Sequence, residues 1–164
     1  MGQTALKGNP VPTSGDLPPV GAQAPEFSLT KQDLSEATLE SYAGKKKILN
    51  IFPSIDTGIC AKSVKTFDEK VAGRDDLVVL NISADLPFAA KRFCGQENVQ
   101  NDTLSSFRST FAQDYGVELA GGPMKGLCAR AVVAVDAENK ILHTELVDEI
   151  TTEPNYDAAL TALS

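Results

Sequence analysis

The chain has 164 residues, 42% of them hydrophobic and 6% aromatic, with 22 Asp and Glu against 15 Lys and Arg for a formal net charge of -7. That length and apolar share suit one domain around an aliphatic core, while the acidic balance argues against a nucleic-acid-binding surface. No apolar run approaches the length needed to span a bilayer, and residues 1–12 lack the apolar core of a signal peptide, so a cytoplasmic protein without a membrane partner is expected.

In chain order, Thr4-Ala5-Leu6-Lys7 and Val11-Pro12-Thr13 flank the turn-forming cluster Gly8-Asn9-Pro10, which predicts an N-terminal hairpin within residues 1–16. Its prolines suit an edge position. Leu17-Pro18-Pro19-Val20-Gly21 reads as an extended connector, followed by a brief strand near Phe27-Ser28-Leu29 and a helical turn about Thr38-Leu39 that Gly44 closes. The short basic cluster Lys45-Lys46-Lys47 reads as a solvated strand edge.

Ile48-Leu49-Asn50-Ile51-Phe52 and Leu77-Val78-Val79-Leu80-Asn81-Ile82 are nearly continuous apolar runs, the pattern of strands covered on both faces. Between them, Cys60, Val64, Phe67 and Val71 recur at helical spacing, giving a strand–helix–strand unit. Asp85 is read as the N-cap of a second helix with Pro87 in its first turn and Gly95 ending it just after Cys94. Leu104, Phe107 and Phe111 predict a third helix capped by Asn101 or Asp102 and stopped at Gly116. Residues 129–135 and 141–146 form a hairpin across Asp136-Ala137-Glu138-Asn139-Lys140, and a last helix starts near Pro154. A parallel unit followed by an antiparallel hairpin is the thioredoxin arrangement. The expected class is therefore α/β, a thioredoxin-like fold with a mixed central sheet, flanking helices and an added N-terminal hairpin, read as one domain over 1–164.

Cys60 follows a turn that carries Pro53, Thr57 and Gly58, where a strand gives way to a helix. Exposed backbone N–H groups and the positive end of the helix dipole favour a thiolate there, and the thiolate is the reactive form of the residue. The Thr57 hydroxyl can act as N-cap or donate to the sulfur, and the Pro53 ring can shield the sulfur from water. The alternative is a buried small hydrophobe. Arg130 is expected inside a strand with apolar residues on both faces, where a guanidinium needs an anion; that anion is either a carboxylate or the Cys60 thiolate. Cys128 should share a sheet face with Arg130 and reads as a core residue, with an auxiliary thiol as the alternative. Three cysteines are too few and too widely spaced for a disulfide framework; a zinc site from them and His143 lacks the close ligand pairs such sites use, and His143 is given no role.

Pro53, Thr57 and Cys60 match the P-x-x-x-T-x-x-C signature, so the chain resembles the peroxiredoxins, with Arg130 at the position of their active-site arginine. The blocks 50–60, 81–94 and 146–154 are similar to the bacterial thiol peroxidase subfamily nearly throughout. The resemblance implies a peroxidase that reduces hydrogen peroxide and alkyl hydroperoxides without cofactor or metal. In it Cys60 becomes a sulfenic acid, Cys94 of the same subunit resolves it as a disulfide, thioredoxin is the reductant, and the enzyme is a homodimer. Arg130 and Thr57 would hold the thiolate and the peroxide, with Pro53 the third residue of the site, and the resolving step would require local unwinding of one or both helix ends. Two rival readings use the same fold. A disulfide reductase is weakened by the absence of any C-x-x-C pair, and a non-catalytic binding module remains open because fold alone does not fix function.

Overall fold

The structure is a computed structural model that describes residues 2–164. The chain opens with the expected hairpin, β1 (Gln3–Leu6) against β2 (Asn9–Pro12). The turn is tighter than the sequence suggests. Lys7 and Gly8 form a two-residue loop with φ of 50° and 85°, matching the right-handed twist of the strands, and Asn9 and Pro10 already belong to β2.

The main sheet has seven strands in the order β4-β3-β7-β6-β5-β8-β9. Strands β3 (Ser28–Thr30) and β4 (Glu36–Thr38) form one edge, followed by the 3-10 turn Leu39–Tyr42. At the centre, β5 (Lys46–Ile51) and β6 (Leu77–Ser83) run parallel, joined by helix α1 (Gly58–Lys70). The apolar runs are continuous because both faces are covered. Leu49, Ile51, Leu80 and Ile82 pack with Phe27, Phe111 and Tyr115 on one side, while Ile48 and Val79 pack with Phe67 of α1 and Ala159 and Leu163 on the other. Helix α2 (Pro87–Glu97) leads to β7 (Asp102–Ser105), which lies parallel to β6. Helix α3 (Phe111–Asp114), the antiparallel pair β8 (Ala131–Val135) and β9 (Ile141–Leu146), and α4 (Tyr156–Ala162) complete the chain, with the Asn155 side chain accepting the Ala158 N–H at 3.0 Å as N-cap.

Several expectations are corrected. Residues 102–105 are a strand rather than the start of a helix, because Thr103, Leu104 and Ser105 are all buried alongside β6, and only Phe111 of the expected stripe is helical. Helix α2 is capped by Leu86, not Asp85; it continues through Gly95 and ends at Asn98, whose φ of 54° supplies the left-handed stop. Lys47 is fully buried, since β5 is flanked by β6 and β8, and its Nζ donates to the Lys45 carbonyl at 2.9 Å and to Asn139 Oδ1 at 2.8 Å. Arg130 lies immediately before β8, and Cys128 packs in the Phe27–Tyr115 cluster, so irregular backbone over 129–130 separates the two.

Candidate active site

The parallel pair β5 and β6 sets the site, because both strands end at the same edge of the sheet and both chains turn there. After β5 the backbone passes Phe52 and Pro53, makes a tight turn in which the Thr57 N–H donates to the Ser54 carbonyl at 3.2 Å, and enters α1. Gly58 starts the helix and Cys60 falls in its first turn, pointed inward and wholly buried.

Arg130 reaches that sulfur from the opposite side. Its side chain is 2% exposed; Nε donates to the Ile150 carbonyl at 2.8 Å and Nη2 to Cys60 Sγ at 3.1 Å. None of the ion pairs among the described residues involves it, so its hydrogen bonds go to a backbone carbonyl and the Cys60 sulfur, with no carboxylate within ion-pair distance. Nη1 is buried with no hydrogen-bond partner. A buried, unpaired guanidinium N–H is costly. A pocket of about 250 Å³ opens against this group, lined by Pro53, Thr57, Gly58, Arg130, Met124 and Ile150 among others.

Pro53 is buried in the wall of that pocket. Thr57 is the N-cap residue of α1, but its hydroxyl donates to the Ser54 carbonyl at 3.1 Å and neither caps the helix nor contacts sulfur. Its Oγ1 therefore keeps acceptor capacity toward the pocket.

Cys94 lies in the last turn of α2, where its carbonyl accepts the N–H groups of Asn98 and Val99. It shares one buried cluster with Cys60, Phe52, Ile55, Val64 and Phe93. All three cysteines are free. Cys94 Sγ is 3.7 Å from Thr103 Oγ1, which also accepts from Gln32 Nε2 at 2.7 Å. Burial pushes the Cys94 pKa up, while the bonds from Thr103 and Gln32 pull it down. Cys128 is pushed up to about 12 by burial, with only Ser106 Oγ nearby at 4.0 Å, and is an inert core thiol in this form. His143 Nε2 is buried without a partner, and no group of three or more His, Cys, Asp or Glu among the described residues is placed to hold a metal.

Two features escaped the sequence reading. The first is a buried polar chain under Cys60: Asn50 Nδ2 donates to Asn81 Oδ1 at 3.0 Å and to Ser63 Oγ at 3.3 Å, and Ser63 Oγ donates to the Cys60 carbonyl at 2.8 Å. The second is Asp85, whose carboxylate binds the turn before Cys60 rather than a helix terminus. The signal for both was available, since Asn50 and Asn81 interrupt two adjacent apolar strands and Asp85 follows the second at the edge where Pro53 follows the first.

A seven-stranded mixed sheet flanked by helices, with a cysteine and an arginine joined at the head of α1, defines a thioredoxin-like fold of peroxiredoxin type. Comparison with known proteins agrees. The Redoxin family model matches residues 19–160. The chain is 52% identical to the thiol peroxidase of Corynebacterium glutamicum over 165 residues, covering 100% of both chains, and 52% identical to that of Mycobacterium bovis, covering 99% of each. A peroxiredoxin-like protein from Aquifex aeolicus superposes with a TM-score of 0.92 at 40% identity, covering 97% of this chain and 94% of that one. The chain belongs to the redoxin family and, within it, to the thiol peroxidases. No helix among the described residues is long and apolar enough to cross a membrane.

Proposed function

We propose that this chain reduces hydroperoxides with Cys60 as the attacking thiolate, Arg130, Thr57 and Pro53 as its cradle, and Cys94 as the resolving thiol of the same subunit. The observation that carries the reading is the 3.1 Å bond from Arg130 Nη2 to Cys60 Sγ beside an unpaired Nη1. A guanidinium is effectively always charged, so Nη2 favours the anionic sulfur, and Nη1 is free to donate to a peroxide oxygen next to it. The thiolate attacks the terminal peroxide oxygen and the O–O bond breaks. Cys60 becomes a sulfenic acid, and the departing alkoxide or hydroxide takes a proton to leave as alcohol or water. The Arg130 charge beside the splitting bond stabilises the developing negative oxygen. In this reading Thr57 Oγ1, with its own proton committed to Ser54, accepts a hydrogen bond from the peroxide O–H, and Pro53 keeps water from the sulfur.

Cys94 then displaces hydroxide from the sulfenic sulfur to give the disulfide. The common cluster of the two cysteines supports an intrasubunit pairing, and the Asn98 stop places Cys94 in a terminal turn that opens at low cost. A dithiol protein of the thioredoxin type is the proposed reductant. A homodimer in the cytoplasm is the proposed setting, and exposed Leu86 and Phe88 at the head of α2 support a subunit contact on the active-site side. The test is stoichiometric consumption of an alkyl hydroperoxide coupled to oxidation of reduced thioredoxin. A disulfide reductase without peroxidase activity would oxidise thioredoxin only when a disulfide substrate is supplied and not in response to peroxide, and a binding module would do neither.

A further inference from the structure

Asp85 was expected to cap α2, yet its side chain turns away from that helix. Oδ1 accepts from Ser54 Oγ at 2.8 Å, and Oδ2 accepts from the Ile55 backbone N–H at 2.6 Å and from Ser83 Oγ at 2.7 Å. The Asp85 carbonyl in turn accepts the Ser105 hydroxyl from the end of β7. The carboxylate thus ties the turn that precedes Cys60 to the end of β6, and the Asp85 carbonyl adds the end of β7, one residue before the N-cap of the helix that carries Cys94. Around this turn the strand ladder ends with the Phe52 N–H on the Ile82 carbonyl, and the next backbone bond, Thr57 N–H to the Ser54 carbonyl, stays inside the turn. Among the described residues one side-chain hydrogen bond crosses from α2 to the turn, from Arg92 Nη2 to Asp56 Oδ1 at 2.9 Å; both side chains are more than half exposed, so it contributes little. A half-buried carboxylate with three donors is a stronger tether.

We propose that Asp85 is the positioning residue of the Cys60 turn. Its carboxylate holds Pro53, Thr57 and the head of α1 in the form that meets peroxide, and its release lets Cys60 leave the Arg130 cradle for Cys94. This inference rests on the peroxidase reading above. The two chemical steps then place opposite demands on one contact. Thiolate attack on the peroxide needs the turn closed. Condensation of the Cys60 sulfenic acid with the Cys94 thiol, which forms the S–S bond and releases one water, needs it open.

The test is Asp85→Asn, nearly isosteric, which replaces one acceptor oxygen by an NH2 group that faces a donor. Single-turnover oxidation of Cys60 by an alkyl hydroperoxide should slow by at least about tenfold. The fraction of Cys60 driven to sulfinic acid per turnover under excess peroxide should fall several-fold, because the loosened turn delivers the sulfenic acid to Cys94 sooner. Ser54→Ala, which removes one of the three donors at a partly exposed position, should move both quantities in the same directions by a smaller factor, and decides alone where Asp85→Asn does not fold. A merely structural Asp85 would lower the melting temperature without moving the sulfinic fraction in that direction. Unchanged oxidation rate and unchanged sulfinic fraction in the folded variants would overturn the proposal. A wild-type protein that consumes no peroxide would instead overturn the peroxidase reading, so the two failures are distinct.

Discussion

Cys60 and Cys94 lie in one buried cluster, yet each sulfur has a different polar partner: Cys60 Sγ is held by Arg130 at 3.1 Å, and Cys94 Sγ sits 3.7 Å from Thr103 Oγ1 of β7. The reduced form is therefore two separately tethered thiols. Closing a disulfide means breaking both tethers and moving the apolar side chains of Phe52, Ile55, Val64 and Phe93 that share the cluster.

Replacing Cys94 by Ser should leave one fast, stoichiometric oxidation of Cys60 and abolish sustained thioredoxin-dependent turnover. The sulfenic acid then has no partner thiol and advances to sulfinic acid under excess peroxide. Peptide mapping of oxidised wild type should show Cys60 joined to Cys94 within a chain that runs as a monomer on a non-reducing gel. A Cys60–Cys128 bridge or an interchain band would refute the pairing.

Arg130→Ala should slow the first oxidation step by roughly ten- to hundredfold, the equivalent of about 1.5–3 kcal/mol for a hydrogen bond to a charged group. Arg130→Lys should recover little, because one ammonium cannot serve Ile150, the sulfur and the peroxide together. Stopped-flow oxidation checks this, with melting curves alongside because the Ile150 carbonyl loses its donor. A wild-type rate would reduce Arg130 to a structural role.

Gly95 sits inside α2, and a Cβ built there meets nothing within 4 Å. Gly95→Ala should stabilise the helix by about 1 kcal/mol and raise the melting temperature by about 2–4 °C. The same stiffening opposes unravelling of the Cys94 turn, so disulfide closure should slow while Cys60 oxidation stays at the wild-type rate. A variant that is more stable and closes at the wild-type rate would show that the opening lies at α1 alone.

Two pH effects follow from burial. The Cys94 thiol is pushed above its ordinary value, so its thiolate fraction, and with it the rate of disulfide closure, should climb as pH rises beyond about 8.5. For Cys128 the native value of about 12 exceeds the unfolded value of about 8.5, so above the latter the native state holds a proton that the unfolded state has lost. Its stabilising contribution is complete below pH 8.5 and declines by up to about 1.4 kcal/mol per pH unit toward pH 12. Denaturant midpoints at pH 7 and pH 10 should therefore converge more closely for Cys128→Ala than for wild type.

Much of this was legible in the sequence because long apolar periodicities and the strand-to-helix turn at Cys60 are local signals. The β5–α1–β6 unit and the β8–β9 hairpin follow from them, whereas the sequence pattern left the partner of Arg130 open between a carboxylate and Cys60, and only the family resemblance pointed to the sulfur. The strand at 102–105 was not legible, since Asp102-Thr103-Leu104-Ser105 has no strong strand character and is held extended by pairing with β6. Lys47 looked like a surface charge because its partner, Asn139, lies far along the chain. Asp85 misled for a related reason. A carboxylate before a helix resembles an N-cap locally, and only the parallel register that brings the ends of β5 and β6 together reveals its other use.

The N-terminal hairpin acquires a role from a chain of contacts that starts at its turn. The backbone N–H groups of Lys7 and Gly8 donate to the Glu149 carboxylate at 3.1 and 2.8 Å, the Ile150 N–H donates to the Ala5 carbonyl at 2.8 Å, and the Ile150 carbonyl is what Arg130 Nε holds. Leu6 of β1 also forms part of the pocket wall. The hairpin is thus a scaffold brace for the guanidinium rather than an ornament on the sheet. Removing residues 2–12 should cost peroxide reactivity even though they carry no reacting atom, and a bulky fusion packed against Gly8 would be felt, through Glu149 and Ile150, at the sulfur.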